Sequence, residues 1–133
     1  MWLLGLLLAG CDLNCDRLYM PDLLLVRFAA DSWPEGTYEI QLEDQDTFQT
    51  LSCTVTLPGD TALCADGLSQ TVVDGDALLQ TEVWAFAPDE LELQVSLDGE
   101  VVLWESFAPT YEEAEPNGEG CGVQRLGSID VVW

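Results

Sequence analysis

The chain has no histidine and no lysine, and Lys and Arg together number only 3 in 133 residues. Nucleic acid is thereby excluded as a partner, because phosphate contacts require clustered cations. Ser–His and Cys–His nucleophile systems have no base to use, and lysine chemistry is absent as well. No apolar run approaches the roughly 20 residues needed to span a bilayer as a helix. No internal repeat is visible, and the hydrophobic period is two rather than 3.6.

What the chain does contain is acid and apolar side chains. Asp and Glu number 25, the formal charge is −22, and 48% of residues are hydrophobic. That apolar share is too high for a disordered acidic tail, and the length suits one domain. Such a domain buries about two-thirds of its unfolded surface, enough for a core. A strongly acidic surface repels anionic lipid and polysaccharide and attracts basic partners. Its simplest role is solubility, with acids on outward strand faces blunting edge-to-edge pairing.

Residues Trp2–Ala9 read W-L-L-G-L-L-L-A, without a charge. This run suits the hydrophobic segment of a secretion signal. It is followed by Leu8-Ala9-Gly10-Cys11, which resembles the lipobox of bacterial lipoproteins. The resemblance implies cleavage between Gly10 and Cys11 and a diacylglyceryl group on the Cys11 thiol. Two or three acyl chains would make a stable anchor where one would be reversible. Residues 1–10 are then a signal peptide, 11–22 a lipidated tether and 23–133 the folded domain. No Lys or Arg precedes the apolar run, a departure that an upstream start codon would explain. Asp12 resembles an inner-membrane retention signal of enteric bacteria.

The cysteines are Cys11, Cys15, Cys53, Cys64 and Cys121, an odd number for an exported protein. Lipidation of Cys11 leaves four to pair, and export favours oxidation. Thr50–Leu57 and Thr61–Asp66 flank the turn signal Pro58-Gly59. A hairpin centred there places Cys53 opposite Cys64, close enough to bridge. Cys15 and Cys121 are left to each other, closing a loop of roughly 100 residues worth ~4–5 kcal/mol in the chain-entropy model. Cys11 and Cys15 without histidine make poor zinc spacing, so no metal or other cofactor is expected.

Beyond the tether, Leu23–Phe28 reads as a buried strand. Thr37–Glu43 alternates, with Tyr38, Ile40 and Leu42 inward. Phe48–Leu57 and the Cys-bridged hairpin follow, then a polar loop over Gly67–Asp76. Leu78–Ala87 is a strand of ambiguous facing, with either Val83 and Ala85 or Trp84 and Phe86 inward. Glu90–Leu97 and Glu100–Phe107 flank Asp98-Gly99, a type I′ turn signal, which sets Leu93 opposite Trp104 and puts Val102 and Trp104 in the core. Pro109–Gly122 reads as loop, and Leu126–Trp133 as the last strand, with Ile129, Val131 and Trp133 on one face. Seven or eight short strands with frequent turns predict an all-β, antiparallel sandwich.

The lipobox, the paired Cys53 and Cys64, Trp33-Pro34-Glu35-Gly36-Thr37-Tyr38 and Pro116-Asn117-Gly118-Glu119-Gly120-Cys121-Gly122 together resemble small envelope lipoproteins of myxobacteria. The resemblance implies an immunoglobulin-like sandwich. Pro109-Thr110-Tyr111 resembles a tyrosine corner, while the buried Cys–Trp–Cys pin of antibody domains has no match.

Carboxylate catalysis of the glycosidase kind has no specific signal among so many acids, and the expectation is a non-catalytic protein. The acidic clusters Asp74-Gly75-Asp76, Glu43-Asp44-Gln45-Asp46 and Glu112-Glu113-Ala114-Glu115 sit at expected loops, but none has EF-hand spacing. Trp33, beside Pro34, is the candidate for an exposed aromatic platform, and Trp104 reads as core. The expected role is thus structural or partner-binding, on a membrane anchor facing the periplasm or cell exterior, with an unknown protein or glycan partner. The alternative is an accessory lipoprotein that binds calcium or a glycan.

Overall fold

A computed structural model describes residues 20–66, 69–115 and 122–133. It contains β1 (Leu23–Ala29), β2 (Gly36–Asp44), β3 (Thr50–Leu57), β4 (Ala62–Leu63), β5 (Ser69–Asp74), β6 (Ala77–Trp84), β7 (Leu91–Leu97), β8 (Glu100–Phe107), β9 (Tyr111–Ala114) and β10 (Gln124–Val132). Two sheets form, with orders β4-β5-β6-β1-β10-β9 and β3-β2-β7-β8. Their inner faces supply one core. Leu24 and Val26 from β1, Val83 from β6 and Val131 from β10 meet Tyr38 and Ile40 from β2 and Leu93 and Val95 from β7. The alternation expected of β2 is present, with Thr37 and Glu39 outward.

Strand order identifies the sandwich type. An immunoglobulin variable domain orders one sheet C′-C-F-G, with D, E and B adjacent in the other. Here β3-β2-β7-β8 and β5-β6-β1 take those places, and every pairing among them is antiparallel. The all-antiparallel expectation needs one correction. The place beside β1 is filled by β10, which runs parallel to it from Leu23↔Leu126 to Ala29↔Val132. The strand count exceeds seven or eight because β5 and β9 form where loops were expected.

The segments expected to be loops contain two of these strands. Gly67–Asp76 includes β5, whose inward positions are Ser69, Thr71 and Val73. Hydroxyls stand where an apolar pattern was sought. They are satisfied internally, Thr71 and Thr81 Oγ1 lying 3.1 Å apart and Ser69 Oγ donating to Asp66 Oδ2 at 2.7 Å. Pro109–Gly122 includes β9, which pairs with the start of β10. Conversely, Phe48 is outside β3, in a turn with φ 61°.

Cys53 and Cys64 form a disulfide, with Cα atoms 4.5 Å apart. The expected hairpin does not exist. β3 pairs with β2, whereas β4 pairs with β5 in the other sheet. The chain crosses between sheets at Pro58-Gly59, where Gly59 N–H donates to Gly75 O at 2.8 Å. Both cysteines point into the core, and the bridge staples the two sheets together along one side.

The β7–β8 hairpin has the expected turn, with positive φ at Asp98 (51°) and Gly99 (86°). Its register is not the expected one. Ser96 faces Val101, but Val95 faces Leu103, so Val102 is an extra residue in a bulge. One inserted residue exchanges the faces of everything beyond it. Leu103 and Phe107 pack against the core, while Trp104 pairs with Gln94 and stands 67% exposed. A second break explains the ambiguity of the sixth strand. Ala85 has φ 58°, which resets the alternation so that Val83 and Phe86 are both buried.

Candidate binding surfaces

β1 begins at Leu23 and ends at Ala29, and the two ends of the sandwich differ. At the Leu23 end, residues 20–22 are held to β10. Gln124 Nε2 donates to Pro21 O at 2.8 Å, and Arg125 N–H to Asp22 Oδ1 at 2.8 Å. The Arg125 guanidinium lies 4.4 Å from the centre of the Tyr111 ring and 3.6 Å from Asp89. Tyr111 donates to Pro88 O at 2.6 Å. Its pKa is pushed up to about 12, chiefly by burial; Arg125 opposes the rise, and Asp89, Asp44 and Asp22 add to it.

At the Ala29 end gather the β1–β2 connection and the β5–β6 and β7–β8 turns. In variable domains this is the end that carries the B–C and F–G loops. The turns interlock: Thr37 N–H donates to Asp98 Oδ1 at 2.9 Å, and Asp98 N–H to Thr37 O at 2.8 Å. Gly36 is required here, since a Cβ would meet Asp98 Oδ2 at 2.6 Å and φ is 149°. Tyr38 donates to Pro34 O at 2.6 Å, four residues upstream. That local bond is of the tyrosine-corner kind, whereas Tyr111 reaches the distant β6–β7 connection. Burial, then repulsion from Asp98, raises the Tyr38 pKa.

Trp33 is half-buried rather than a free platform. Its ring meets Phe28, Tyr38 and Trp133 edge-on, with centroids 6.1, 5.9 and 4.7 Å away. Beside this cluster lies an open cleft of about 620 Å³, lined in part by Trp33, Trp133, Leu79, Val132, Asp31 and Asp76. Apolar walls and acidic rims occur together there. Trp133 is the contributor that sequence reading undervalued, being placed only on a strand face.

A second surface is the outer face of the four-stranded sheet. Glu43 stands directly opposite Glu92, Gln41 opposite Gln94, and Gln94 opposite Trp104. These side chains and Thr50 line a cleft of about 260 Å³. Trp104 Nε1–H donates to Glu92 Oε1, and Gln45 Nε2 to Glu43 Oε1 at 3.2 Å. Neither described arginine is on this sheet: Arg27 is on β1 and Arg125 on β10.

The acidic clusters are used locally. Asp44 is buried, and its Oδ1 accepts from Asp46 N–H at 2.9 Å and Thr47 N–H at 3.3 Å, closing the β2–β3 turn. Gly75 and Asp76 form the β5–β6 turn, and Glu112 and Glu113 are exposed on β9. Among the described residues no three Asp, Glu or Cys side chains are placed to hold one metal ion. Of the residues singled out by sequence, Cys53 and Cys64 are brought together. Gly10, Cys11, Cys15 and Cys121 lie outside the described residues, and so does the Cys15–Cys121 pairing.

Set against protein-family models, curated proteins and solved structures, the chain matches none of them.

Proposed function

We propose that this protein is a non-catalytic lipoprotein of the cell envelope, anchored through Cys11, whose immunoglobulin-like domain binds a partner at the end remote from the anchor. Leu8-Ala9-Gly10-Cys11 supports the anchor, and the Cys53–Cys64 disulfide accords with an oxidising compartment. The resemblance to small myxobacterial lipoproteins belongs to the same proposal. The observation that carries the binding reading is the placement of the Trp33–Trp133 cleft. It opens at the Ala29 end of β1, while the chain enters β1 at Leu23. A membrane tether at residues 11–22 would therefore present the cleft outward.

A photo-crosslinking side chain at Ser32, beside the cleft, tests this in cells against one at Glu112, near the entry end. The proposal expects an adduct of one defined mass from Ser32 only, lost when Cys11→Ala abolishes anchoring. Equal labelling from both positions, or none from Ser32, would overturn it. A glycan is the second reading, favoured by the two indoles at the cleft. It requires retention of the purified protein on isolated cell-wall polysaccharide, lost on Leu79→Glu.

A further inference from the structure

The outer face of the four-stranded sheet has a feature that folding alone does not ask for. Glu43 and Glu92 are directly opposed on its two central strands. Like charges so placed repel and destabilise a sheet. Beside them an indole, the most hydrophobic side chain of β8, is held in solvent: Trp104 is 67% exposed. Its N–H donates to Glu92 Oε1. Among the described residues no Lys or Arg stands on this sheet, whose strands carry Glu39, Glu43, Asp44, Glu92, Glu100 and Glu105.

We propose that this face is a docking site for a basic segment of a protein partner, an arginine side chain of which enters the Glu43–Glu92–Trp104 cleft. Charge complementarity selects the occupant. The guanidinium plane can accept both the stacking surface of an indole and the paired oxygens of a carboxylate, which an ammonium does less well. The two carboxylates sit on neighbouring strands, about 5 Å apart at Cβ, a spacing one guanidinium can bridge. Gln45 Nε2 and Trp104 Nε1–H each donate to one carboxylate oxygen of the pair. The site binds the face and not the edge of the sheet. β8 has the Val102 bulge and an exposed charge, Glu105, opposite Leu93, both of which discourage strand addition. The site is separate from the Trp33–Trp133 cleft and independent of the anchor.

The test uses the protein purified from cells, with a non-ionic detergent present throughout, at about 0.15 M salt. The probes are a labelled ten-residue peptide of alternating Arg and Ser, the same peptide with Gln for Arg, cellohexaose, chitohexaose and calcium chloride. Saturable binding of the Arg peptide alone is expected. Glu43→Gln or Glu92→Gln should weaken it by about tenfold or more, and Trp104→Ala by about fivefold. Glu112→Gln on β9, which removes the same charge elsewhere, should change it less than about twofold. Glu92→Gln should also raise Tm by about 1–4 °C, since it removes the cross-strand repulsion.

Equal weakening by all the carboxylate variants would reduce the effect to the overall charge of the molecule and overturn the site. Trp104-dependent binding of an oligosaccharide in place of the peptide would overturn the ligand class. Binding of calcium alone, or of none of the probes, would overturn the proposal too. None of these results bears on the Ser32 crosslinking outcome.

Discussion

Cys53 and Cys64 are partners from opposite sheets, separated by 11 residues in sequence and by 4.5 Å between Cα atoms. No ladder joins β3 to β4, so the bridge closes a loop that strand pairing does not already close. In the chain-entropy model such a loop is worth about 3 kcal/mol. Cys53→Ala/Cys64→Ala should therefore lower Tm by roughly 10–15 °C. Thermal unfolding followed by circular dichroism measures it. A loss of only a degree or two would indicate that the two edges are held by other contacts.

Trp104 and Leu103 give the β8 register a direct test. With Leu103 against the core and Trp104 in solvent, Trp104→Ala should change stability by no more than about 0.5 kcal/mol. Leu103→Ala should cost about 1–3 kcal/mol. Urea unfolding of the two variants separates the bulged hairpin from a regular one, which would reverse the order.

Tyr111 sets an alkaline limit. Its hydroxyl ionises near pH 12 in the folded chain, against 10.0 for an unperturbed tyrosine. A raised folded pKa contributes stability that is complete below the unfolded value and is lost as pH rises through the folded one. Unfolding free energy should thus fall between about pH 10 and 12. Tyr111→Phe should flatten that fall, leaving the smaller part due to Tyr38, and should cost about 0.5–1.5 kcal/mol at neutral pH for the lost bond to Pro88. An unchanged alkaline slope would place the titration elsewhere.

Period-two alternation made the sandwich legible, because β2, β7 and β10 bury one face and wet the other. The Asp98-Gly99 turn was equally plain. Two kinds of element escaped. β5 hides because its inward Ser69 and Thr71 are satisfied by hydrogen bonds and carry no hydrophobic signature. The β8 facing escaped because a bulge such as that at Val102 leaves no mark in composition, yet reverses every side chain after it. The disulfide was found by a hairpin argument that the structure replaces. The two cysteines are close because both point into one core, not because their strands pair. Trp104 carries the further consequence, since a side chain assigned to the core proves to line an outer cleft. A sharper sequence signal was Leu103, which makes an equally good inward partner for Val95 once one extra residue is allowed.

Anchoring through Cys11 is the central functional claim, and the direct measurement is the intact mass of the protein recovered from cells. Processing at Leu8-Ala9-Gly10-Cys11 predicts loss of residues 1–10 and a diacylglyceryl increment on Cys11, with or without a further acyl chain. A soluble protein that retains residues 1–10 and an unmodified Cys11 thiol would contradict it.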